Sequence, residues 1–167
     1  MRGRIALVTG AERNMGFEAT RGLAQRGFTV YLTSCDPQAG PPAAETLKAE
    51  GDVRYLYLDV TDEGSMRDAL AVVEQEHGHL DVLVNNAGIA GDQRPLAEAS
   101  IADLRRVLET NVIGATSALS PFAPLLSARQ SPVAVNATRA VGSLTLSSPP
   151  AALLPLRPYP ASPPLLP

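Results

Sequence analysis

The stretch TGAERNMG, residues 9–16, brackets Arg13, Asn14 and Met15 between Gly10 and Gly16. It follows a short apolar run and opens a helical segment. Residues of this kind in this place can hold a phosphate: glycine lets the backbone come close to a ligand, and a helix N-terminus offers free N–H groups and partial positive charge. A Gly-bearing turn from strand to helix is common, so the loop alone is a weak signal. Two further stretches fall in step with it. Asp59 and Val60 close one apolar run, and Asn86, Ala87 and Gly88 close another. Taken singly, Asp59 could be a helix cap and the second stretch an ordinary turn. Together they would lie on the carboxyl edge of a sheet, where open α/β proteins bind their ligands.

The elements that must position these residues alternate. RIALVT (4–9) is an apolar run without alternation, as expected of a strand covered on both faces. Met15 to Arg26 is helical in character and stops at Gly27, a plausible C-cap. FTVYLTS (28–34), VRYLYLDV (53–60), LDVLVN (80–85) and VAVNAT (133–138) read as further strands. Between them lie a short helix, AAETLKAE before Gly51, and a helix capped by Thr61 or Asp62 that carries Met66, Ala69, Leu70 and Val73 on one face. Ser100 and Asp103 form a capping-box-like pair opening a helix that runs past Asn111. Strands alternating with helices predict a doubly wound, Rossmann-type parallel α/β sheet of about five strands.

Composition bounds the rest. A chain of 167 residues is long enough for one real core, and 45 % apolar content is ordinary. The net charge of −3 offers no footprint for nucleic acid or an anionic membrane surface. No apolar run is long enough to span a bilayer, and the single cysteine, Cys35, excludes an internal disulfide, so a soluble cytoplasmic protein is expected. His77 and His79 have no Cys or carboxylate constellation around them, so no metal site is expected. Acidic residues stop at Glu109, and eight of the 15 prolines fall between Pro149 and Pro167. The chain therefore divides into an ordinary globular domain over residues 1–148 and an irregular Pro-rich tail over 149–167, which cannot form regular helix.

TGAERNMG, LDVTD, NNAG and NVIG, in this order and spacing over roughly residues 3–148, resemble the short-chain dehydrogenase/reductase family, and in particular its carbonyl-reductase-like members. The resemblance implies a nicotinamide dinucleotide with its pyrophosphate over residues 10–16, its adenine end against Asp59 and Val60, and its middle against Asn86, Ala87 and Gly88. Asn14 departs from the family loop at its middle glycine, but asparagine accepts left-handed backbone angles most readily of the non-glycine residues. Ser34 stands where an acidic residue would enforce NAD, and Arg13 resembles the basic residue that pairs with the 2′-phosphate of NADP. Arg13 could also be a plain surface charge. NADP(H) is the expected cofactor, and NAD is the alternative.

The family's chemistry calls for a tyrosine, a lysine four residues later, a serine and an asparagine. Asn111 fits the asparagine that supports a water relay, with a polar residue on a half-exposed helix face as the alternative. YPASPP makes Tyr159 the tyrosine, but Pro163 replaces the lysine and Arg139 the serine. Lys48 is the only lysine of the chain, so Tyr159 has no cation to tune it. The family also continues through two more parallel strands, without which the fifth strand is an unpaired edge open to partner pairing or aggregation. Three readings stay open. One is an NADP(H)-binding oxidoreductase for a small carbonyl or alcohol substrate, impaired by these replacements and with self-association an option. The others are a non-catalytic cofactor-binding protein that pairs with a partner, and a truncated product that does not fold alone.

Overall fold

The computed structural model describes residues 3–91, 98 and 100–138. Five parallel strands form one sheet in the order β3-β2-β1-β4-β5. They are β1 (Arg4–Val8), β2 (Phe28–Ser34), β3 (Val53–Tyr57), β4 (Val82–Asn85) and β5 (Val133–Asn136). β1 is central and is paired on both sides, Ala6 facing Val30 on β2 and Val82 on β4.

Burial on both faces explains why β1 lacks alternation. Ile5 and Leu7 enter one core with Met66, Ala69 and Val73 of α3 (Glu63–His77) and Phe122 of α5 (Ala115–Ser127). Ala6 and Val8 enter the other, with Ala24 of α1 (Asn14–Ala24) and Ala43, Ala44 and Leu47 of α2 (Gly40–Leu47). The second core is rich in alanine, which lets α1 and α2 sit close against the sheet.

Several elements differ from the sequence reading at their ends. β3 ends at Tyr57 rather than running to Val60: the Leu58 N–H still donates to the Ser34 carbonyl of β2 at 3.2 Å, but Leu58 and Val60 are buried in the turn that follows the strand. α2 begins at Gly40, ahead of the alanine run, because Pro41 and Pro42 in its first turn give up N–H groups that have no helical partner there. Asp62, not Thr61, caps α3, its carboxylate accepting from the Gly64 N–H at 2.8 Å. Ser100 does occupy the N-cap of α4 (Ile101–Leu108), but its hydroxyl makes no capping bond. The helix that passes Asn111 is not continuous α-helix. Glu109–Gly114 is a π-helical turn joining α4 to α5. α5 contains Pro121 and Pro124 and holds its course through the burial of Ala118, Phe122, Leu125 and Leu126.

At the sheet's amino edge Asp81 acts as a fastener. Its carboxylate accepts from the Ile5 N–H at 2.8 Å and from Arg129 Nε at 2.5 Å. Nearby, the Tyr31 hydroxyl donates to Glu76 at 2.7 Å and lies 2.9 Å from His77 Nε2, while Arg54 joins Glu76 to Asp52.

Candidate functional site

The carboxyl ends of β1 and β4 are neighbours in the sheet although far apart in sequence, and the chain leaves them in opposite directions around the sheet order. Such a switch point opens a crevice. After β1 the chain turns at Gly10, whose φ of 58° is left-handed. A side chain there would put its Cβ 2.8 Å from Ala87 Cα, so the close approach of the two loops requires glycine. Asn14 has a φ of 52° and is the only non-glycine residue with positive φ among the described residues. It thus adopts the conformation for which the middle glycine of the loop would be used. Gly16 begins the body of α1, where a Cβ would meet Asn86 Nδ2 at 2.4 Å.

Thr9 knits the two loops together. Its buried hydroxyl accepts from the N–H groups of Asn86 at 3.0 Å and Ala87 at 2.9 Å, and the Asn86 side-chain amide donates to the carbonyls of Thr9 at 3.0 Å and Gly10 at 2.8 Å. On the other side of the crevice Asp59 shapes its own turn, accepting from both the N–H and the hydroxyl of Thr61 at 2.8 and 2.7 Å. Val60 packs into the core behind it. Asn111, in the π-helical turn, pairs its whole amide with one peptide group: Oδ1 accepts from the Ile89 N–H at 2.8 Å and Nδ2 donates to the Ile89 carbonyl at 3.0 Å. The side chain therefore fixes the loop after β4 and has both polar atoms engaged.

These elements enclose a cleft of about 400 Å³ lined by Gly10, Arg13, Asn14, Met15, Asp59, Val60, Asn86, Ala87 and Gly88. Gly16 lies behind it as packing, and Asn111 lines an adjoining apolar cleft of about 530 Å³ together with Asn85, Leu108 and Thr138. The first turn of α1 faces the cleft with no side chain capping it and no acidic residue in it. Its N–H groups suit an anion.

Several lining residues were not singled out from the sequence, Glu12, Ile89, Thr110 and Thr138 among them. Ile89, Thr110 and Thr138 carry no motif that would have flagged them. Glu12 was visible inside the loop, but glycine spacing and Arg13 drew the inference instead. Its side chain is 12 % exposed and sits 3.6 Å from Nε of Arg13, which is 73 % exposed. Cys35 also lines the cleft, its thiol pushed up from the usual range by burial and then by Asp59, Glu12 and Asp36. In the second cleft the buried Asn85 donates to the Ala115 carbonyl and to Asn136 Oδ1, and its own Oδ1 has no partner among the described residues. Arg139, Tyr159 and Pro163 lie outside the described residues, as does the Pro-rich tail. Among the described residues no group of His, Cys, Asp and Glu is arranged to hold a metal ion, and no helix is long and apolar enough to cross a membrane.

A glycine turn, an uncapped helix start and a crevice at the β1–β4 switch agree with the short chain dehydrogenase family model, which matches residues 4–149. The chain belongs to that family. It is 35 % identical over 163 residues to a (+)-neomenthol dehydrogenase of Arabidopsis thaliana, covering 84 % of this chain and 55 % of that protein. It is 36 % identical over 149 residues to carbonyl reductase (NADPH) 1 of Sus scrofa, covering 87 % and 51 %. Among solved structures, an NAD+-bound xylitol dehydrogenase superposes with a TM-score of 0.79 at 29 % identity, covering 84 % of this chain and 55 % of that one. The chain thus spans about half the length of the curated relatives it matches.

Proposed function

We propose that this chain binds a nicotinamide adenine dinucleotide in the cleft beside β1 and β4, with NADP(H) as the cofactor and NAD(H) as the alternative. The observation that carries the reading is the Gly10–Gly16 turn, left-handed at Gly10 and Asn14, running into an uncapped helix N-terminus. That geometry fits a pyrophosphate, which needs close backbone approach and N–H donors more than it needs side chains. In this reading Arg13 pairs with a 2′-phosphate, Asp59 and Val60 flank the adenine end, and Asn86, Ala87 and Gly88 support the middle of the cofactor; that all of them line one cleft supports it.

When bound, the nicotinamide ring supplies or accepts a hydride. The activity that follows is carbonyl reduction or alcohol oxidation on a small substrate. In that reading Tyr159 handles the substrate proton, and Asn111 supports the site by holding Ile89. Turnover is slow, because Pro163 stands in place of the cation that would tune Tyr159 and Arg139 in place of a substrate-binding hydroxyl. General acid–base assistance is worth roughly two to four orders of magnitude in rate. The domain spans residues 1–148, and the cytoplasm is its compartment, in keeping with the lone exposed thiol of Cys35.

A second reading is favoured by the exposure of Val133 and Val135 on β5 and of Leu104, Leu108 and Val112 on the α4 side. Here the chain binds cofactor without turnover and uses these surfaces to associate with itself or a partner. Fluorescence titration of the purified chain with NADPH and NADH, followed by a carbonyl screen with Tyr159→Phe as control, separates the readings. Saturable binding with turnover lost in the variant supports the enzyme. Binding without turnover supports the second reading. Absence of binding together with absence of a cooperative unfolding transition marks a chain that does not fold alone.

A further inference from the structure

Resting on the cofactor reading above, we infer that Glu12 is a cofactor-selectivity residue: it opposes the neighbouring Arg13, accepting the ribose hydroxyls of an unphosphorylated adenosine and disfavouring a 2′-phosphate.

Glu12 lines the cleft, and its side chain is only 12 % exposed. Among the described residues its one ion-pair partner is Arg13, at 3.6 Å, which is longer than a hydrogen bond. A carboxylate offers about four acceptor sites. None of these is filled by a hydrogen bond within the described residues, so they are open to a donor from a ligand in the cleft. Two vicinal ribose hydroxyls are donors of the right kind to fill them.

A phosphate is the wrong kind. It brings acceptor oxygens and added negative charge to a cleft that already carries Glu12 and Asp59, with Asp36 near enough to act on Cys35 in its lining. All three carboxylates act on the thiol of Cys35, which lines the same cleft and whose deprotonation partial burial and these charges together oppose. Among the described residues Arg13 is the cation paired with Glu12 there, while Arg106, which also lines the cleft, is paired with Asp103. Being 73 % exposed, Arg13 is free to swing to a 2′-phosphate, but only by leaving Glu12. The two adjacent residues therefore read the 2′ position with opposite signs, and the chain favours NADPH less than Arg13 by itself would dictate.

The test measures Kd for NADPH and NADH by fluorescence on the whole chain, and for 2′,5′-ADP and 5′-AMP by displacement. Wild type, Glu12→Gln and Arg13→Gln are compared at low ionic strength, where screening is weak. Glu12→Gln is expected to tighten NADPH and 2′,5′-ADP by about three- to tenfold, with NADH unchanged or weakened. Arg13→Gln is expected to weaken NADPH and 2′,5′-ADP and leave NADH and 5′-AMP alone. Glu12→Ser repeats the measurement should the glutamine variant fail to give a cooperative unfolding transition. A ratio of NADH to NADPH dissociation constants that is the same in wild type and the Glu12 variants overturns the inference while leaving cofactor binding intact. Failure of every form to bind any of the four probes overturns the cofactor reading and the inference with it.

Discussion

Replacing Thr9 by valine keeps the shape of a fully buried side chain and removes only its hydroxyl. The hydroxyl serves as acceptor for two backbone N–H groups, of Asn86 and Ala87, at 3.0 and 2.9 Å, and makes a long third contact of 3.4 Å to the Val84 carbonyl. In the variant both N–H groups face a methyl. Leaving a buried donor unpaired costs about 1–3 kcal/mol. Asn86 and Ala87 are only partly buried, so the low part of that range applies to each and the total comes to about 2–3 kcal/mol. For a chain of this length that corresponds to a fall in Tm of roughly 5–10 °C. Thermal and urea unfolding of Thr9→Val, with Thr9→Ser as the variant that keeps the oxygen, measures it. Dinucleotide affinity should fall as well, because the two released N–H groups belong to the loop that lines the cleft. If Thr9→Val unfolds within about 0.5 kcal/mol of wild type, the ordinary range for a neutral substitution, the claim that Thr9 binds the two loops together is wrong.

Asn14→Gly should be as stable as wild type or more so, whereas Asn14→Val should lose about 1–2 kcal/mol, because valine resists the left-handed φ of 52°; chemical denaturation of both decides it. Asn111→Leu should cost about 1–3 kcal/mol in the same assay by releasing the Ile89 peptide, and faster amide exchange at Ile89 would locate the effect. His77 titrates below its usual value because of burial first and the Arg54 charge second. The folded state therefore prefers the neutral ring, so this contribution to stability is complete above the unfolded pKa of about 6.5 and is lost as pH falls through it toward the lower folded value. Tm should drop between neutral pH and about pH 5 in the wild type and less in His77→Gln. Leu108→Glu should reduce any self-association seen in sedimentation, since Leu108 is an exposed apolar residue on α4.

Where one kind of physics acted alone, the sequence was readable. FTVYLTS coincides with β2 from end to end, because five of its seven residues are buried and all five positions from Val30 onward pair with β3. Where burial and pairing part company, apolarity misled: Leu58, Val60 and Leu80 are buried without lying in a strand. Pro121 and Pro124 disfavour helix locally, and α5 nonetheless runs through them because Phe122, Leu125 and Leu126 pack into the core. At the site, Gly10 and Asn14 were legible because a left-handed turn leaves its mark on residue type. The work of Asn111 was not, since its partner Ile89 lies 22 positions away and nothing local announces the pairing. Glu12 went unread for a different reason. A charged residue inside a glycine loop passes for solvated surface until its burial and its distance to Arg13 are known.

The central place of β1 also sets a timetable. Its β2 edge can close as soon as Phe28–Ser34 has been made, so β1, α1, β2, α2 and β3 have the contacts to assemble as a unit during synthesis. Its other edge waits for Val82 to Val84, and Thr9 waits for Asn86 and Ala87. At about 5–20 residues per second that interval is about 3–10 s, during which the edge of β1 that will face β4 is bare and Gly10 has nothing to close against. The nucleotide crevice is then a late product of translation, and the nascent chain has a stretch of seconds in which a chaperone, rather than β4, is the partner available to its first strand.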